Sequence, residues 1–121
     1  MPTSATSSTN FYNTDTSAPD RISGRAWDAS FQVAVTASPF ATYACVDLWL
    51  TDFRDDLPEI DILTLVIHGT ADRILPYEAT ARRLTGLIKD LRLVPVEGGP
   101  HNIGWTHPEQ VNTALLDFLA A

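Results

Sequence analysis

With 121 residues, 45% of them hydrophobic and 19% charged, the chain has the size and make-up of one globular domain. Its formal net charge of −7 comes without any cluster of Lys and Arg, which argues against nucleic acid or an anionic membrane surface as partner. No run approaches the roughly 20 apolar residues of a membrane helix, and the lone Cys45, with no second cysteine to pair with, fits a reducing, cytoplasmic setting.

Residues 1–10, MPTSATSSTN, lack the basic start and apolar core of a signal peptide and are expected to form a disordered tail. Only Phe11 and Tyr12 offer side chains to bury in the polar stretch that continues to about residue 20. Residues 11–57 otherwise read as helical. One helix should begin near Ser23, with Trp27 and Phe31 four apart on one face. A second start signal is Ser38 followed by Pro39, a capping residue ahead of a proline in the first turn. From there Phe40, Tyr43, Val46, Leu50 and Phe53 recur at intervals of three or four, which predicts an amphipathic helix over 38–53 whose apolar stripe needs a partner surface. Cys45 within it reads as a small buried hydrophobe. Asp47, Asp52, Asp55, Asp56, Glu59 and Asp61 face Arg54 alone and share no ligand-like spacing, so they read as a solvated face rather than a metal site.

Residues 58–121 alternate strand and helix twice. The run over 63–67 is short, branched and soon followed by a glycine, the pattern of an interior strand. Residues 76–89 predict a helix, with Glu78 early and Lys89 late to suit its dipole. Residues 91–96 predict a strand, and Pro95 places it at a sheet edge. Thr106 and Glu109 have the spacing of a capping box around Pro108, and Val111, Leu115, Phe118 and Leu119 form the apolar face of a closing helix. The order βαβα makes the fold class α/β, with a parallel sheet.

In such sheets reactive side chains collect beyond the carboxyl ends of the strands. The first strand runs into HGTAD, which carries Asp72, and the second into EGGPHNIGW, which carries His101 after a Gly98-Gly99-Pro100 bend. Adjacent parallel strands bring both loops to one rim, so the two side chains can meet. A carboxylate beside an imidazole fixes the tautomer, orients the ring and stabilises the imidazolium. Taken singly, Asp72 reads as a helix-start acid and His101 as a surface-loop histidine; each makes the other less ordinary. His68 at the strand end suits a structural hydrogen bond, His107 an exposed capping turn, and Trp105 packing beside the histidine loop. A zinc site is not expected from the three histidines, which lack the short spacing of ligand pairs.

The stretches WLTDFRDDLPEIDILTLVIHGTADRILPYEATARRL and VEGGPHNIGWTHPEQVNTALLDFLA resemble the C-terminal portion of the cofactor-free, non-haem haloperoxidases, a bacterial branch of the α/β-hydrolases close to arylesterases. The resemblance extends over about residues 11–121. It implies that Asp72 matches the triad acid and His101 the triad histidine, that 11–57 match the end of a helical cap and 58–121 the end of the hydrolase core, and that no metal, haem or other cofactor takes part. It also implies ester hydrolysis, and with peroxide and a carboxylic acid the formation of a peracid that oxidises halide. The family nucleophile is a serine in a G-x-S-x-G elbow. No such elbow occurs in this sequence, where Ser4, Ser7, Ser8, Ser17, Ser23, Ser30 and Ser38 all precede the first strand. Leu63 stands where the family often has proline, and Gly99 where alanine is common. The chain is therefore expected to be inert alone, and to cover its open strand edge with copies of itself or with a separate N-terminal half.

Overall fold

Strand β1, Thr64–Gly69, and strand β2, Leu91–Val96, run parallel, in a register that sets Thr64 opposite Leu91 and Gly69 opposite Val96. The computed structural model of the chain describes residues 10–13 and 22–120. The tail expected over 1–10 lies outside the described residues except for Asn10, which opens a helical turn over 10–12. Both strands fall where branched and apolar residues concentrate, and both end at the same rim of the sheet. Among the described residues the sheet has these two strands alone, so Leu65, Val66 and Ile67 are half-buried rather than enclosed on both faces. Pro95, opposite His68, lies on a strand with one open side, as its missing N–H requires.

Helix α1, Gly24–Thr36, starts where the sequence places it. Ser23 is its N-cap, with Oγ accepting from the Ala26 N–H at 3.2 Å, and the Trp27 and Phe31 rings stack with centroids 5.8 Å apart. Ser38 likewise caps α2, Pro39–Ala44. The single helix expected over 38–53 is instead two short ones, with Cys45 between α2 and α3, Val46–Trp49. It stops early because local hydrogen bonds compete with helix continuation. The Leu50 N–H turns back to the Asp47 carbonyl, Thr51 Oγ1 donates to that same carbonyl, and Asp52 Oδ1 accepts from the Arg54 N–H. The apolar stripe is left facing outward, with Phe40 and Leu50 both at least 80% exposed, and Cys45 is half-buried rather than enclosed. The acidic run is exposed throughout, as expected of a solvated face.

Between the strands the helix expected over 76–89 also breaks. A 3₁₀ turn, Tyr77–Ala79, leads to α4, Ala81–Leu84. Thr80 separates them: its φ of −124° and ψ of −94° are not helical, and its hydroxyl donates to the Pro76 carbonyl at 2.9 Å. Beyond β2 come α5, Ile103–Thr106, and α6, Pro108–Leu119, which packs along β1. The capping box expected at Thr106 and Glu109 does not form, because Thr106 is already the last residue of α5 and its hydroxyl contacts the Asn102 carbonyl and the His107 ring. His107 takes the N-cap position of α6 and is buried, against the expectation of an exposed side chain. Trp105, expected to pack, is exposed.

The buried apolar residues are few and mostly small: Tyr12, Ala26, Ala81, Ile88, Val96 and Ala114. The tightest backbone approach is at Gly69, the last residue of β1, where a Cβ would overlap the Gly99 carbonyl and Pro100. Neither neighbour is a movable side-chain tip. Gly69→Ala is therefore expected to destabilise the fold by about 3 kcal/mol, read as a lower urea midpoint; an unchanged midpoint would show that the two loops separate at little cost.

Candidate active site

The two loops that leave the strands are stitched together by their backbones. The Thr70 and Gly99 N–H groups both donate to the Val96 carbonyl, at 2.9 and 3.0 Å, and the Ala71 N–H donates to Gly99 at 3.0 Å. Thr70 Oγ1 accepts from the Gly98 N–H at 2.8 Å. Gly98 turns the second loop with a φ of +67°, a left-handed conformation that glycine adopts without a Cβ penalty. The outcome is that Asp72 and His101, 29 positions apart in sequence, face each other, with His101 Nδ1 2.8 Å from Asp72 Oδ2.

Asp72 has only 2% of its side chain exposed. An ionised carboxylate at that depth requires donors on both oxygens. Oδ1 accepts from the Ile74 N–H at 2.8 Å and the Leu75 N–H at 2.9 Å. Oδ2 faces His101 and also His68 Nε2 at 3.1 Å. Burial by itself raises the carboxyl pKa, but the Leu75 N–H, the His101 ring and the Ile74 N–H together hold it below the ordinary carboxylate value. Asp72 is thus an acceptor only, which assigns the shared proton to His101 Nδ1; in the neutral ring the lone pair is then on Nε2. His68 Nε2 also faces the Leu75 carbonyl at 2.9 Å, so it carries a proton as well, in the structural role expected of it. His107 lies apart from this group, with Nδ1 2.8 Å from Thr106 Oγ1.

His101 keeps 28% of its side chain exposed and meets the edge of Phe11, with ring centroids 4.8 Å apart. Residues 11–13 are what sequence reasoning missed. The Phe11 carbonyl accepts from the Asn102 N–H at 2.9 Å, Tyr12 Oη accepts from Asn102 Nδ2 at 3.2 Å, and Asn13 Nδ2 donates to the Ala71 carbonyl at 2.9 Å. The available signal was two aromatic residues and an asparagine set in a Ser- and Thr-rich stretch. A hollow of about 500 Å³ opens beside Asp72, between Thr70, Tyr77 and Glu97, and His101 does not line it.

Comparison with known proteins agrees with this arrangement of strands and loops. The chain is 57% identical over 109 residues, 90% of its length, to a protein of Synechocystis sp. provisionally named as a non-heme chloroperoxidase. It is 42% identical over 80 residues to the non-heme chloroperoxidase of Streptomyces lividans, a match that takes in 65% of this chain. The crystal structure of bromoperoxidase from Bacillus anthracis superposes on 96% of it with a TM-score of 0.85 and 32% identity. The chain is homologous to the non-heme haloperoxidases. Its two strands and helices are a piece of the α/β-hydrolase fold. No protein-family model matches it. As a haloperoxidase homologue it is short, spanning 40% of the Synechocystis protein, 29% of the Streptomyces enzyme and 42% of the bromoperoxidase chain.

Because the folded carboxyl of Asp72 ionises more readily than an unfolded one, the folded state binds fewer protons near the ordinary aspartate pKa of about 3.9. Its contribution to stability is present above that pH and is lost as pH falls through the folded value. Urea midpoints are expected to drop on acidification below about pH 4, and Asp72→Asn to flatten that part of the profile; equal slopes in both proteins would remove Asp72 as the titrating group.

Proposed function

We propose that this chain supplies the acid and the base of a Ser-Asp-His hydrolase of the haloperoxidase and esterase kind, and is the C-terminal part of such an enzyme. In this reading residues 11–57 are the end of the helical cap and 58–121 the end of the core. The observation that carries it is the bond from His101 Nδ1 to Asp72 Oδ2, with Oδ1 anchored by two backbone N–H groups. His101 Nε2 takes the proton of a serine hydroxyl as the oxygen attacks an ester carbonyl, and Asp72 steadies the imidazolium that results. His101 then returns that proton to the departing alkoxide. Water completes ester hydrolysis, whereas hydrogen peroxide attacking the acyl group yields a peracid, which oxidises halide. In this reading the serine and the oxyanion donors come from outside this chain, in whose sequence no G-x-S-x-G occurs.

Loss of the serine from a triad costs on the order of 10⁶ in kcat. The chain alone is accordingly expected to hydrolyse p-nitrophenyl acetate no faster than its His101→Ala variant, and turnover that His101→Ala abolishes would reveal a nucleophile within it.

A second reading concerns what covers the open faces. Among the described residues no strand pairs with the outer edge of β1, and Phe40, Tyr43, Trp49 and Leu50 are exposed. Each large apolar side chain left in water costs about 1.5–3 kcal/mol relative to burial. These surfaces suit association with further copies of the chain or with a separate N-terminal half. A cytoplasmic location is part of this reading, supported by the single cysteine; among the described residues no helix is long and apolar enough to cross a membrane. Light scattering is expected to give a mass above the monomer. A monodisperse folded monomer would sink self-association, and esterase activity restored by co-expression with an N-terminal half would favour the complementary partner.

A further inference from the structure

We propose that Phe11, Tyr12 and Asn13 are positioning residues that clamp the Asp72 and His101 loops to each other; the inference rests on the reading of that pair as acid and base. Their hydrogen bonds go to the chain neighbours of the two functional residues rather than to the polar atoms of Asp72 and His101. Asn13 holds Ala71, the residue before Asp72, while Phe11 and Tyr12 hold Asn102, the residue after His101. Phe11 adds its ring edge against the His101 imidazole at an interplanar angle of 76°. That contact limits rotation of the ring about the bond to Asp72.

The conformation of Asn13 singles out this segment. Among the described residues it is the one non-glycine with a positive φ, at 52°. It is 2% exposed, and its Oδ1 is buried without a hydrogen-bond partner. A left-handed backbone and an orphaned carbonyl oxygen each cost free energy. Asparagine tolerates the first better than other side chains with a Cβ, and the bond from Nδ2 to Ala71 offsets part of the second. Tyr12 is equally buried, with its hydroxyl reaching the Asn102 amide across 90 positions of sequence. A chain segment so distant in sequence, satisfied at both loops at once, restricts the distance between them in a way that neither strand can. The strands fix the rim, and the clamp fixes the two side chains on it.

Nuclear magnetic resonance on the whole chain tests this without any turnover. The His101 Nδ1 proton is identified as the downfield imidazole signal that Asp72→Asn removes. Asn13→Gly keeps the left-handed backbone free of strain and deletes the bond to Ala71. It is expected to speed solvent exchange of that proton and of the Asn102 amide about tenfold, with the Val66 amide in β1 unchanged. Tyr12→Phe, which keeps the ring and removes the acceptor, is expected to act in the same direction and less strongly. Unchanged exchange at both His101 and Asn102 in Asn13→Gly would overturn the clamp. So would an equal rise at Val66 in both variants, which would reduce the segment to general packing. A wild-type chain with no such His101 proton would instead remove the acid–base pair, and the positioning role with it.

Discussion

A carboxylate almost shut off from water has to be surrounded by donors, and the loops beyond both strands are organised by that demand from Asp72. Its Oδ1 closes the loop on itself through the Ile74 and Leu75 N–H groups, and its Oδ2 gathers two imidazoles. The contact with His101 further requires both loops to leave one rim of the sheet, which the parallel pairing of Gly69 with Val96 provides. The Val96 carbonyl then serves both loops at once, and Gly69 has no side chain because the Gly99 backbone occupies that space. Strand register, loop closure and the acid–histidine contact are thus successive consequences of housing one charge.

Much of this was legible in the sequence, for reasons that differ between elements. The strands declare themselves because residues packed into a sheet leave a short, largely apolar run, and 91–96 matches its expected bounds with only Arg92 interrupting it. The meeting of Asp72 with His101 follows from topology alone, since parallel neighbours send their outgoing loops to one side. Ser23 and Ser38 cap helices because a hydroxyl at that position satisfies an otherwise idle N–H.

What was not legible depends on competition between hydrogen bonds of similar strength. Periodicity carries the helix over 38–53 straight through Cys45 and Leu50, yet Thr51 and Asp52 each hold local partners that end it. Thr80 does the same between Pro76 and Ala81. Thr106 had the spacing of a cap but was already engaged by the preceding turn, which also drew His107 inward. The contribution of 11–13 was invisible for another reason: nothing in a polar stretch announces contacts with residues 58 and 90 positions away. The exposed stripe of α2 and α3 marks the same boundary from the other side, since a pattern can specify that a face is apolar without specifying what lies against it.

The orientation of Asp72 draws on residues 69–75 for most of its support, because the turn from Gly69 and the two N–H groups on Oδ1 are internal to that heptapeptide. Such a turn behaves as a portable module. Transferred to the end of another parallel strand, it carries its own means of aiming a carboxylate, and asks of its host only a glycine-sized gap and an imidazole across the way.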